Sequence, residues 1–176
     1  NIDIDKLKRN FLTNSSCGVC GKTSLDTIEV IKNEKLDLSF PKIKKEIIMK
    51  SSELLMTEQS GFSKTGGIHA SSLIDNAGKV IATREDVGRH NALDKVIGHV
   101  HKKKLIDNSS QFIACSGRLN FELVQKGLMS GIGVMAGVGA PTSLAIDLAK
   151  HFRMTLLGFV KNSSFNIYTN KERIIL

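Results

Sequence analysis

Residues 111–160 read QFIACSGRLNFELVQKGLMSGIGVMAGVGAPTSLAIDLAKHFRMTLLGFV, and their alternation of periods decides the fold class. Residues 112–115 form a short apolar run closed by Ser116 and Gly117, which fits a buried strand. Phe121, Val124 and Leu128 then recur at helical spacing, and the helix they predict ends near Gly131. A second apolar run, residues 132–138, meets Gly139, Ala140 and Pro141. Leu144, Ala145, Leu148, Ala149 and Phe152 mark the next helix, and residues 155–160 the next strand. Strands alternating with helices of this length call for parallel strands joined by crossovers.

Upstream, residues 41–59 predict a long helix with Pro41 at an early position, Ile43, Ile47, Ile48, Leu54 and Leu55 inward, and Gly61 past its end. The period then shortens. Residues 68–74 and 80–83 read as a hairpin around the turn Asp75, Asn76, Ala77, Gly78. Asp86 offers an N-cap to a helix whose inward stripe is Leu93, Val96, Ile97 and Val100, and residues 107–110 close it. Residues 166–169 predict a small edge strand, and residues 4–12 a short helix leading into a cysteine loop. The expected architecture is an α/β, three-layer mixed sheet with helices on both faces, its last three central strands parallel. The domain division is 1–40, a mobile CxxC loop with its lead-in, and 41–176, the α/β domain.

In such a sheet ligands gather beyond the carboxyl ends of the strands, where helix N-termini offer unpaired N–H groups to anions. Residues 85–91, 116–120 and 139–143 arrive there. Taken singly, Asp86, Ser116 and Thr142 also suit plain helix caps.

Composition narrows the partners. The chain has 176 residues, 41% hydrophobic, enough for one buried core, and three cysteines, too few for a secreted disulfide framework. It has no apolar stretch of membrane-spanning length and no opening signal peptide, so a cytoplasmic location is expected. It does not begin with Met, as a fragment would not. The net charge of +8 suits a phosphorylated ligand, but much of it lies in lysine runs at 42–45 and 102–104 that suit a solvated face. With one tyrosine and eight phenylalanines not interleaved with those runs, nucleic acid is not an expected partner.

The stretch SSCGVCGK, residues 15–22, carries the chemistry: two thiols two residues apart, flanked by Gly18 and Gly21. It fits half of a zinc site, a dithiol switch, or a nucleophilic thiolate that accepts sulfur as a persulfide. A structural zinc site needs a second ligand pair, which neither Cys115 nor His99 with His101 supplies, so no zinc is expected. The βαβ surroundings of a thioredoxin motif are also missing. A nucleophile leads and a redox switch comes second. Cys17, between Ser16 and Gly18 with Lys22 nearby, suits an activated thiolate, whereas Cys115 suits a buried inert thiol.

SSCGVCGK, TGGIHAS, EDVGRHNALDKV, SGRLNFELVQKG and APTSLAIDLA occur in one order, and through them the chain resembles the FdhD family of formate dehydrogenase accessory proteins along essentially its whole length. Members carry a further N-terminal region that is absent here. The resemblance implies a cytidine-deaminase-like fold, a homodimer, and a sulfurtransferase enzyme. Such an enzyme takes sulfur as a cysteine persulfide from a cysteine desulfurase. It passes the sulfur to the molybdenum bis(molybdopterin guanine dinucleotide) cofactor, a bound substrate that formate dehydrogenase then receives.

Carried over by residue, the sulfur-bearing position falls on Cys17, with Cys20 its companion. The cofactor-contact stretch, expected after the final strand, falls on Phe159, Val160, Lys161, Asn162, Ser163 and Ser164. Ser116, Gly117, Arg118, Thr142 and His90 join it as expected cofactor contacts, and a guanine nucleotide should lie against helix starts at Ser116 and Thr142. Lys161 stands where an arginine is expected, Asn170 and Lys171 where proline is common, and Asn120 and Gly139 where serine is frequent. His69 and His90 each suit a proton donor or a structural role, with His90 preferred for the site. Deaminases of this fold place a zinc-binding histidine there, followed by a glutamate, with cysteines opening the next helix. The glutamate is missing after His90, and Ser116, Gly117 and Arg118 replace the cysteines, so deamination is not expected. The competing function is a chaperone that binds the molybdenum cofactor and uses the CxxC only for redox sensing.

Overall fold

The computed structural model describes residues 34–176. The CxxC loop with Cys17 and Cys20, and the helix expected over 4–12, lie outside the described residues. Within Lys35–Leu176, a compact unit, the core is built from strands that are buried along their whole length. Gln111–Cys115 (β4) and Val134–Gly137 (β5) have no exposed position, as continuous apolar runs covered on both faces must. They pair in parallel, and β5 pairs in parallel with Thr155–Lys161 (β6). The hairpin His69–Asp75 (β2) and Val80–Asp86 (β3) joins on antiparallel to β4, and Ser164–Thr169 (β7) closes the other edge antiparallel to β6. The sheet order is β3-β2-β4-β5-β6-β7, and the three expected parallel strands are the central ones.

Alternate residues of each strand serve opposite faces. Ala70, Ile74, Phe112, Ala114, Val134, Ala136 and Leu157 pack with Ile48 and Leu55 of Lys45–Thr57 (α1) in one cluster. Arg89–Lys102 (α3), Phe121–Met129 (α4) and Ser143–His151 (α5) cover the other face, α4 lying between its two neighbours. Ala92, Leu93, Val96 and Val100 are the buried stripe of α3, while Ile97 is half-buried and Leu144 on α5 is exposed. No helix among the described residues is long and apolar enough to cross a membrane.

Several boundaries differ from the sequence reading. The first helix starts at Lys45, not beside Pro41, because Ile43–Lys44 (β1) is extended and pairs in parallel with Ile174–Ile175 (β8). Gly61 lies inside a second helix, Ser60–Thr65 (α2), rather than past the end of the first. Asp86 ends β3 and does not cap α3: Gly88 is the N-cap, and Asp86 Oδ1 accepts from the Gly88 N–H at 2.9 Å and from Asn91 Nδ2 at 3.1 Å. Ser116 is not a helix start. The chain runs on to Asn120, whose side chain accepts from the Leu123 N–H at 3.1 Å and caps α4. Thr142 does cap α5, accepting from the Ala145 N–H at 3.3 Å.

Arg173, fully buried, joins the first described segment to the last. Its guanidinium donates to the carbonyls of Phe40, Arg153 and Asp37 at 2.6–2.7 Å and to Thr155 Oγ1 at 3.2 Å. Burial pulls its pKa down, with the Asp37 and Glu172 carboxylates opposing.

Candidate functional site

The N-terminus of β2 and the C-termini of β3, β4, β5 and β6 all lie at one end of the sheet, because β2 runs antiparallel to β3 and β4 while β4, β5 and β6 are parallel. Past that end the backbone goes on pairing. Val138 N–H donates to the Cys115 carbonyl at 3.0 Å, Gly139 N–H to Gly117 at 3.2 Å, and Leu119 N–H to Ala140 at 3.2 Å. Phe159 N–H reaches the Gly139 carbonyl at 3.2 Å. The turns after β4, β5 and β6 are therefore one layer. It is built close: a Cβ on Gly158 would stand 2.7 Å from Pro141 Cδ, and one on Gly137 2.8 Å from Leu119 Cγ.

Beneath α1 this layer borders a cavity of about 400 Å³. Leu55, Met56, Phe62, Ile68 and Val138 form its apolar walls, and Ser52, Gln59, His69 and Ser116 supply the polar groups. Ser116 Oγ accepts from the Ala70 N–H at 2.9 Å and meets His69 Nδ1 at 3.3 Å. A Cβ on Gly117 would stand 3.3 Å from the His69 ring and 3.6 Å from Arg89 Cδ, so the turn draws imidazole and arginine together. Arg89 Nε is buried with no hydrogen-bond partner, and Arg118 beside it is exposed.

The acidic residues at this end are already engaged. Glu85, at the end of β3, accepts from the Gly61 N–H at 2.8 Å and the Phe62 N–H at 2.9 Å, so it holds the first turn of α2, where negative charge suits the helix dipole. Asp86 is bound by Lys95 Nζ at 2.5 Å. That contact, with the Gly88 N–H and Asn91, holds its carboxyl down at about 2. Among the described residues no carboxylate lines the cavity, and His69 is the one titratable side chain in its lining.

The expected site residues divide. Ser116 lines the cavity, and Gly117 and Arg118 follow it at the rim. Phe159, Val160 and Lys161 still belong to β6, with Asn162 and Ser163 at the hairpin tip and Ser164 opening β7, so the stretch does not follow the last central strand but ends it. Ser52 Oγ donates to Asn162 Oδ1 at 3.1 Å, which ties this tip to the cavity wall. Phe159 holds φ +52 at a bulge, and the residue is 44% exposed. Val160 is buried in the core, out of reach of a ligand.

His90 does not line the cavity. Its Nε2 lies 3.0 Å from Asn120 Nδ2, and its Nδ1 lies 2.9 Å from Glu122 Oε2 without hydrogen-bond alignment. Burial is the main cause that lowers its pKa; Glu122 raises it and Arg89 and Lys126 lower it further. The histidine that lines the cavity is His69, which the sequence reading ranked second. Cys115 is buried, and burial pushes its thiol up to about 11. Among the described residues no group of three His, Cys, Asp or Glu side chains could hold a metal ion.

The model of the FdhD/NarQ family matches residues 2–175. The chain belongs to the FdhD/NarQ family. It is 43% identical over 166 residues to the "Sulfur carrier protein FdhD" of Saccharolobus solfataricus, an alignment covering 94% of this chain and 62% of the relative. It is 44% identical over 172 residues to the protein of that name from Picrophilus torridus, covering 97% and 65%. A crystal structure described as a formate dehydrogenase accessory protein from Desulfotalea psychrophila superposes with a TM-score of 0.70 at 29% identity, over 78% of this chain and 61% of that one. The chain thus spans a little under two thirds of the curated relatives it matches.

As an FdhD/NarQ chain it departs from the expected motifs where the geometry accounts for the change. Asn120 caps α4 as a serine would and also reaches His90. Asn170 sits at φ +47, a conformation closed to proline, and its amide donates to the Met154 carbonyl at 2.8 Å.

Gln59, Arg89 and His69 are the side chains that the sequence reading missed or under-ranked. Periodicity gave no signal for Gln59, a polar residue buried between two helices.

Proposed function

We propose that this chain is a sulfurtransferase for the molybdenum bis(guanine dinucleotide) cofactor, acting in the cytoplasm as a homodimer of a cytidine-deaminase-like fold. Cys17 takes sulfur from a cysteine desulfurase, and the sulfurated cofactor passes to formate dehydrogenase. The observation that carries the reading is convergence. TGGIHAS, EDVGRHNALDKV, SGRLNFELVQKG and APTSLAIDLA, far apart in sequence, meet at one end of the sheet, where the first and third of them also line one cavity.

In the first step the Cys17 thiolate attacks the outer sulfur of the desulfurase persulfide; the donor's S–S bond breaks and its cysteine leaves as a thiolate. Delivery of that sulfur as sulfide needs two electrons, and attack by the Cys20 thiolate on the inner sulfur of Cys17 supplies them, leaving the cysteines as a disulfide. The nucleotide end of the cofactor lies along the turns after β4, β5 and β6, with Arg89, Arg118 and Lys161 near its phosphates. The cavity wall formed by the described residues is neutral and holds no carboxylate, which suits a protein that binds and hands over rather than one that hydrolyses.

Mass spectrometry after incubation with a desulfurase and cysteine tests the reading. The peptide with Cys17 gains the mass of one sulfur atom, and Cys17→Ser abolishes both that gain and maturation of the dehydrogenase while GDP binding persists. A Cys17→Ser protein that still gains sulfur and still activates the dehydrogenase overturns it. Activation with no sulfur on either cysteine leaves a cofactor-binding chaperone with a redox-sensing CxxC.

A further inference from the structure

Gln59 is 4% exposed at the junction of α1 and α2, it lines the cavity, and its Nε2 has no hydrogen-bond partner. A buried amide donor left unpaired is costly, and folded proteins retain few of them. Two other features of the cavity bear on what would pair it. None of the described lining residues carries a fixed charge, so an anion placed against them would lose its hydration without compensation. Met56, Phe62 and Val138 are exposed at 63%, 39% and 41%, apolar surface that suits the faces of a flat ring.

We infer that this cavity seats the keto-bearing edge of a bicyclic heterocycle and that Gln59 is its specificity residue, donating from Nε2 to the ring carbonyl. The inference rests on the reading of the strand ends as a nucleotide-cofactor site. Guanine and pterin share this amino-keto edge, and both occur in the proposed cargo. Gln59 lies on the helix side of the cavity, opposite the turns with Arg89 and Arg118, so ring and phosphates occupy different sides of one site. His69, which meets Ser116 at 3.3 Å and adjoins Gly117, lines the same cavity as a second polar contact.

Calorimetric titration of the full chain and of Gln59→Leu with GDP, ADP and pterin is the test, with melting temperatures alongside. Gln59→Leu removes an unpaired buried amide, so the free variant melts about 2 °C or more above the wild type. It binds the keto ligand about tenfold more weakly. Loss confined to GDP makes the cavity a guanine seat, and loss confined to pterin a pterin seat. Gln59→Glu, which keeps the shape and removes the donor, weakens binding likewise. Unchanged affinity for both keto ligands in both variants overturns the inference and leaves nucleotide binding at the strand ends in place. ADP bound by the wild type as tightly as GDP also overturns it. A wild type that binds neither GDP nor pterin overturns the inference together with the reading beneath it.

Discussion

His69 and Ser116 meet at 3.3 Å between imidazole Nδ1 and hydroxyl, although 46 residues separate Ala70, which the same hydroxyl accepts from, and Ser116. Ser116 N–H also donates to the Ala70 carbonyl at 3.0 Å, so its side chain stands in for the next rung of the β2–β4 ladder and holds the histidine at the rim. Ser116→Ala leaves the Ala70 N–H unpaired. It should cost about 1–3 kcal/mol in denaturant unfolding and weaken GDP binding as well. An unchanged unfolding midpoint would show that the hydroxyl is not a rung.

Glu85→Ala separates a structural carboxylate from a catalytic one. Its two helix-end hydrogen bonds come from the segment that carries Phe62 and adjoins Gln59. Loss of a helix-capping carboxylate costs about 1 kcal/mol. We expect faster amide exchange across Ser60–Thr65 and weaker GDP binding. Persulfide formation on Cys17 should remain, because the carboxylate has no part in sulfur transfer. Abolished persulfide formation would give Glu85 a chemical role that its two amide partners do not suggest.

His90 sets a pH dependence whose sign follows from its lowered pKa. The unfolded chain takes a proton near pH 6.5 and the folded chain only at lower pH, so stability is full above about 6.5 and falls as pH drops toward the folded value. His99, also lowered, adds in the same direction. In His90→Gln the melting temperature should therefore fall less between pH 7.5 and 5.5 than in the wild type. A steeper fall would mean that Glu122 stabilises the His90 cation, and an equal one that His90 takes up its proton alike in the folded and unfolded chain.

Much of this was legible in the sequence, for identifiable reasons. Residues 111–160 alternate between apolar runs and helical stripes, so β4, β5, α5 and β6 fall within about two residues of their expected places, while α4 begins at Phe121 and not at Ser116. Asp86 and Ser116 misled because a cap and a strand-end hydrogen bond use the same side chains, and only the tertiary partners, Lys95 and Ala70, tell them apart. The extended Ile43 was read as helical because its partner, Ile174, lies at the far end of the chain. The sheet end that the motifs share was visible in the sequence. Gln59 was not, since it becomes notable only when burial leaves its Nε2 without a hydrogen-bond partner.

Phe159 and Gly158 give the sharpest contrast. Phe159 holds φ +52, a left-handed conformation that costs a side-chain-bearing residue about 1–2 kcal/mol, and the residue is too exposed to repay that through burial. Gly158, its neighbour, has ordinary backbone angles but no room: an added Cβ would meet Pro141 Cδ at 2.7 Å and Tyr168 Cε2 at 3.0 Å. Phe159→Gly should relieve the strain while adding some chain entropy to the unfolded state, leaving stability within about 1 kcal/mol of the wild type. Gly158→Ala should cost about 1–3 kcal/mol by forcing β6 away from the turn at Pro141. Both should weaken GDP binding, one by loss of the ring and the other by displacement of the layer. If Phe159→Gly binds GDP as the wild type does, the strained ring at the hairpin serves another contact, and the nucleotide does not reach the end of β6.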